Sequence, residues 1–306
     1  MLVLQTNDLT KKYKDKVAVD HVNMHIKKGD IYGFVGENGA GKTTIIRLIS
    51  GLAAPNSGDY DLFGVNSKDR RISDVKKKMG GIVETVSIST AMTAKENIEV
   101  QSILVGKKLT DSDKDNLLMR VGLDPQAIAK KKAGSFSLGM RQRLGIALTL
   151  IGDPEFIILD EPMNGLDPKG FIEVRDIIQE LNKQGITFLI SSHILSELDK
   201  ICTRIGFISN GKLLKELSIE ELRDRSKSRL VIECEDVEGL DKVLTDKFDL
   251  KDAKIEGKEL HIFDAVDINE IIKEIVDSNI KIENIGRREE TIETYYMKLI
   301  GGARYE

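Results

Sequence analysis

Eight consecutive residues, Gly36-Glu37-Asn38-Gly39-Ala40-Gly41-Lys42-Thr43, restrict this chain more than any other stretch, because their three glycines set the backbone before any packing is considered. The run Ile31–Val35 ahead of them reads as a buried strand, and the residues behind them open a helix. A strand, a glycine-rich turn and a helix N-terminus, in that order, direct backbone N–H groups inward around an anion. The spacing G-x-x-x-x-G-K-T adds Lys42, which reaches the β and γ phosphates of a nucleotide, and Thr43, whose hydroxyl can ligate magnesium. Gly36, Asn38, Gly39, Ala40, Gly41 and Thr44 complete the expected phosphate-binding set.

A second acidic site follows at Phe156-Ile157-Ile158-Leu159-Asp160-Glu161. Four apolar residues demand a buried strand, and two acids emerge at its C-terminal end, where ligands of open α/β sheets sit. Alone, a strand ending in Asp-Glu is most often a solvated edge. Beside a phosphate loop, Asp160 is expected to hold magnesium and Glu161 to orient or deprotonate the water that attacks a γ-phosphate in line. These motifs specify nucleoside-triphosphate chemistry, which kinases, GTPases, helicases and motors share.

The wider chain supports an α/β fold in two domains. Its 306 residues exceed one average domain. From 1 to 217, short apolar runs such as 187–191 alternate with helical patterns, the signature of parallel strands with crossover helices. Strand signals fade between about 90 and 155, where Thr93 and Glu96 have capping-box spacing, Gly122 sits where a helix would stop, and 141–151 reads as helix. A helical insertion is expected there. Residues 218–306 are strongly charged, with candidate strands at 230–234, 259–263 and 281–285 and a helix at 268–276, as expected for a small α+β domain. Tyr295-Tyr296-Met297 and Leu299-Ile300 suggest an apolar helix face.

Composition excludes several classes. The 46 basic and 50 acidic residues are mixed along the chain, which argues against a nucleic-acid partner. Cys202 and Cys234 lack metal-ligand spacing and read as reduced thiols. The apolar runs are strand-sized, so no direct membrane span is expected, and the N-terminal residues show no export signal, which points to the cytosol.

Ser135-Phe136-Ser137-Leu138-Gly139-Met140-Arg141-Gln142-Arg143 resembles the signature motif of the ABC ATPase family, and it lies about 20 residues before Asp160 as in that family. Asn164-Gly165-Leu166-Asp167 resembles the family's D-loop, and His193 in Ser191-Ser192-His193 its switch histidine. The resemblance covers residues 1 to about 217. It implies a P-loop NTPase core with ATP and Mg2+ as ligands, and a head-to-tail dimer, most simply a homodimer. Each ATP would lie between one copy's phosphate loop and the other copy's Ser137, Gly139 and Met140. His193 would contact the γ-phosphate and hold the water-positioning group, and Asp167 would link the two sites. Tyr13 stands where the family places an aromatic that stacks on adenine, a contact of about 1–3 kcal/mol by analogy with base stacking. The partner implied is an integral membrane permease, which would hold the chain at the inner face of the cell membrane.

Two departures refine the resemblance. Leu138 and Met140 replace glycine and glutamine of many members. Glu84, in Gly81-Ile82-Val83-Glu84-Thr85, replaces a glutamine whose oxygen meets magnesium. With Met92-Thr93-Ala94-Lys95-Glu96-Asn97, this glutamate resembles the bacitracin-resistance and lantibiotic-immunity branch of exporters, so Glu84 is expected as a magnesium ligand and antibiotic export as the function. Residues 86–91 would then face the permease. The alternative is a soluble ABC ATPase acting on the ribosome or DNA. Only 118 positions separate Lys42 from Asp160 (160 minus 42), too few for the coiled coils of chromosome-maintenance members, and there is one cassette. A catalytically dead module would lack Lys42, Asp160, Glu161 or His193, and all four are present.

Overall fold

The computed structural model describes residues 1–225, 229–288 and 292–303 of the chain, so the end of the expected second domain, 304–306, lies outside the described residues. They divide into two units, Met1–Ile219 and Glu220–Glu306.

In the first unit, Ile31–Val35, Phe156–Asp160 and Thr187–Ser192 are buried along their whole length, as strands covered on both faces must be. They form the middle of a six-stranded sheet ordered Lys212–Ser218, Arg204–Ser209, Ile31–Val35, Thr187–Ser192, Phe156–Asp160, Met79–Ile82. Neighbours are parallel except in the closing hairpin Arg204–Ser209 with Lys212–Ser218. Thr187–Ser192 is inserted between two strands that precede it in sequence. Val35 therefore lies opposite Ser192 and Asp160 opposite Ser191, and three chain segments leave the sheet side by side at one end.

The expectation of parallel strands holds within this sheet, its closing hairpin apart, and not in a second sheet built from the other strands of residues 2–66. There the twelve-residue strand Leu2–Tyr13 pairs antiparallel with Lys16–Val22, His25–Lys27 and Ser57–Leu62. Its register is irregular, and where its partner changes from Lys16–Val22 to His25–Lys27 the Thr6 hydroxyl spans the gap, donating to the Val22 carbonyl and accepting from Met24 N–H, each at 2.8 Å. Leu4, Ile26, Phe34, Ile45, Ile49 and Leu62 belong to one core that joins this sheet to the helix Lys42–Ser50.

The helical insertion is built on local signals. Thr93 and Glu96 close the expected capping box on Ala94–Leu104, and Thr110 and Asp113 close another on Asp111–Arg120. Caps of this kind stabilise a helix by about 1 kcal/mol each. The last helix, Leu138–Leu150, starts three residues earlier than its apolar pattern suggests, because Ser137 caps it by accepting from Met140 N–H at 3.2 Å.

The second unit carries Arg229–Cys234, Val237–Phe248, Ala253–Glu256, Glu259–Ile262, Ile268–Asp277 and Ile282–Arg288 in the order β-α-β-β-α-β, the succession of ferredoxin-like folds. Its antiparallel sheet buries Leu230, Ile232, Leu260 and Ile262 against Leu240, Leu244, Ile271 and Ile275 of the two helices. In the final helix, Ile292–Ala303, Ile300 is buried whereas Met297 is exposed, so the apolar run at its end is only partly covered.

One buried polar cluster ties the first unit's two sheets together. Tyr32, fully buried, donates its hydroxyl to Glu216 Oε1 at 2.8 Å, and His25 N–H donates to the same oxygen at 3.0 Å. Burial, and then the Glu216 charge, push the Tyr32 hydroxyl well above its usual range, so it stays a donor. Glu216→Ala, which orphans that hydroxyl, should destabilise the first unit by about 1–3 kcal/mol, measured as a lower urea midpoint, and Glu216→Gln by less.

Candidate active site

The loop between Ile31–Val35 and Lys42–Ser50 needs its glycines at two positions for different reasons. A Cβ on Gly36 would meet the Ile208 carbonyl at 2.5 Å. Gly41 has φ of 111° and caps the helix from a left-handed conformation that a side chain resists. Gly36 and Ala40 form the floor: the Gly36 carbonyl accepts from Lys42 Nζ at 2.6 Å, and the Ala40 carbonyl from Gly211 N–H at 2.9 Å.

Above the loop lies a cavity of about 580 Å³, lined by Tyr13, Lys16, Ala18, Glu37, Asn38, Gly39, Gly41, Lys42, Thr43, Thr44, Glu161, Asn164 and His193. Tyr13 stands at its rim, 44% exposed, with Lys11 Nζ 5.1 Å from its ring centre. Lys42 is buried, and its ammonium also lies 3.3 Å from Glu161 Oε1. Glu161 Oε2 is 2.8 Å from His193 Nδ1. One carboxylate thus connects the loop lysine to the histidine that follows the next strand.

Asp160 is buried beside this group. Its Oδ1 accepts from the Ser191 hydroxyl at 2.5 Å, and that hydroxyl in turn accepts from Glu161 N–H at 2.9 Å. Glu161 has φ of 50°, the left-handed region, so the chain turns sharply and points the two consecutive acids in different directions. Asp160 Oδ2 takes no hydrogen bond among the described residues, and the Thr43 hydroxyl lines the cavity. Oxygen donors of this kind, with phosphate oxygens, suit a hard divalent cation such as magnesium.

Several expected residues are placed elsewhere. Ser137, Gly139, Met140 and Asp167 do not line the cavity but form a second cluster. Asp167 caps Pro168–Lys183 by accepting from Gly170 N–H at 2.9 Å, and a Cβ on Gly139 would lie 3.7 Å from Gly170 Cα, so the two helix N-termini are packed together. Glu84 is not among the cavity residues either. It is ion-paired with Arg47.

Sequence reasoning missed Lys16 and Ala18, which carry no motif and reach the cavity through the antiparallel sheet, and Glu37, which stands at a variable position of the loop motif. It also passed over Glu197. Burial raises the Glu197 carboxyl above its usual range, the Glu161 charge adds to this, and His193 opposes it. Glu197 lies in the short helix Leu195–Leu198 that follows His193.

The family described as "ABC transporter" matches residues 19–164. The bacitracin transport ATP-binding protein of Bacillus licheniformis is 39% identical, over 98% of this chain and 98% of its own. The lantibiotic transport ATP-binding protein of Streptococcus pyogenes is 41% identical over 70% of this chain and 90% of its own. Among solved structures, the dimer of an ATP-binding cassette in a post-hydrolysis state with ADP and phosphate superimposes with a TM-score of 0.63 at 24% identity, covering 71% of this chain and 98% of that one.

If the 2.8 Å contact between His193 and Glu161 positions the carboxylate, His193→Ala should lower ATP turnover by about 100-fold or more and leave nucleotide affinity, measured by equilibrium titration with a fluorescent ATP analogue, nearly unchanged.

Proposed function

Since this chain belongs to the ABC transporter ATP-binding proteins, ATPases that bind nucleotide, we propose that it powers export of a peptide antibiotic of the bacitracin or lantibiotic kind through a separate membrane permease. The observation that carries this reading is similarity along the whole chain, second unit included, to a relative named for bacitracin transport.

In this reading Lys42 and the loop N–H groups hold the β and γ phosphates, Tyr13 stacks on adenine, and Glu161 orients the attacking water while His193 holds Glu161 in place. Thr43, Asp160 and Glu84 hold magnesium, which when bound neutralises phosphate charge. Ser137 and Gly139 N–H, at the start of a thirteen-residue helix, suit the far side of a γ-phosphate presented by a second copy. The active unit is therefore a dimer of cassettes, held at the inner face of the membrane by the permease.

A groove on the first unit supports a membrane partner. Its cavity of about 850 Å³ is lined by Leu52, Ile82, Val86, Leu104, Val105 and Gly145, among others, and Leu52 and Leu104 are 67% and 74% exposed. Exposed leucines beside such a groove are suited to packing against an apolar partner surface. No helix among the described residues is long and apolar enough to cross a membrane, so an apolar partner helix must come from another chain.

Leu104→Glu should leave the chain's basal ATPase within about twofold, because it lies outside the cavity, yet abolish co-purification with an integral membrane protein from host membranes. Bacitracin or a lantibiotic should stimulate ATP turnover of the co-purified complex. Capture of ribosomes or DNA in place of a membrane protein, unaffected by Leu104→Glu, would support a soluble ABC ATPase instead.

A further inference from the structure

Arg47 and Glu84 form an ion pair between the phosphate-loop helix Lys42–Ser50 and the loop that leaves the edge strand Met79–Ile82. Both side chains are nearly half exposed, 42% and 47%, and ion pairs at that exposure add little to stability. The backbone at Glu84 is nevertheless unusual. Its φ is 65°, and Thr85 N–H donates to the Val83 carbonyl at 2.8 Å, closing a three-residue turn centred on Glu84. Residues with a Cβ adopt such a turn only at a cost. A strained backbone with a weak ion pair does not serve stability. Together they aim a carboxylate.

The target of that aim is set by the helix. Arg47 follows Thr43 by four residues in Lys42–Ser50, so the two side chains lie one turn apart on one face, and both are half-buried. Glu84 is therefore held by a residue that stands one helical turn from Thr43, whose hydroxyl is assigned to magnesium.

We propose that Arg47 is a positioning residue that parks Glu84, and that Glu84 engages magnesium only by leaving Arg47. This rests on the reading of Glu84 as a magnesium ligand. A guanidinium and a divalent cation compete for the same carboxylate oxygens, so the pair lowers apparent metal affinity. A neutral glutamine at position 84 would meet the guanidinium with a single uncharged oxygen, so the exchange belongs to the glutamate. Val83, Thr85, Val86 and Ser87 line the groove assigned to the permease. Release of Arg47 by Glu84 consequently moves a wall of that groove when the metal site fills.

The test measures manganese(II) binding, by electron paramagnetic resonance, to the full chain with a non-hydrolysable ATP analogue. Arg47→Gln should tighten manganese binding by about two- to fivefold, the strength of an exposed ion pair, and Arg47→Lys should return it toward the wild-type value. Glu84→Gln should weaken binding, and adding Arg47→Gln to it should change nothing further. A general removal of positive charge near the metal would act equally in both backgrounds, so dependence on Glu84 separates exchange from simple electrostatics. If Glu84→Gln leaves manganese affinity unchanged, the metal reading of Glu84 is wrong and the proposal goes with it. If Glu84→Gln weakens binding but Arg47→Gln has no effect, or the same effect in both backgrounds, the parking role alone is overturned.

Discussion

The bridge that Glu161 makes between Lys42 at 3.3 Å and His193 at 2.8 Å is the interaction around which the first unit is organised. A lysine buried in a glycine loop requires an opposite charge within reach, and a carboxylate at a strand end requires something to keep it from turning into solvent. The two meet at the end of the sheet where the segments after Ile31–Val35, Thr187–Ser192 and Phe156–Asp160 leave side by side, with His193 after the middle strand. The antiparallel sheet adds the remaining wall through Tyr13, Lys16 and Ala18.

Backbone strain recurs at the acids near this bridge. Glu161 and Glu84 both have positive φ, in the region that a side chain enters at a cost of about 1 kcal/mol or more. At Glu161 the strain separates two neighbouring carboxylates, so that Asp160 stays under the Ser191 hydroxyl while Glu161 enters the cavity. At Glu84 it points a charge toward the phosphate-loop helix rather than along the edge strand. In each case the surrounding hydrogen bonds or ion pair hold a geometry that the residue's own preferences would not select.

Much of this was legible in the residues, for identifiable physical reasons. Fully apolar strands such as Phe156–Asp160 announce burial on both faces, and capping residues such as Thr93 with Glu96 announce a helix start. Lys42 was readable from the spacing of the glycine loop, Glu161 from the apolar strand it follows beside that loop, and His193 only through its resemblance to the family's switch histidine. The antiparallel strand Leu2–Tyr13 was not readable, because its register shifts at several points and its burial does not keep the two-residue alternation that marks a half-buried strand. Arg47 was equally invisible. An arginine in the last turn of a helix looks like a dipole partner or a solvated charge, and only the fold brings Glu84, 37 positions away, to meet it.

In the proposed mechanism Glu161 completes a clamp that two copies close around ATP. The most direct measurement is oligomeric mass by light scattering, together with ATP turnover, for the wild type and Glu161→Gln in Mg-ATP. A working clamp gives turnover by the wild type and an ATP-bound dimer trapped by the variant. A variant that remains monomeric in Mg-ATP while the wild type turns over would contradict it.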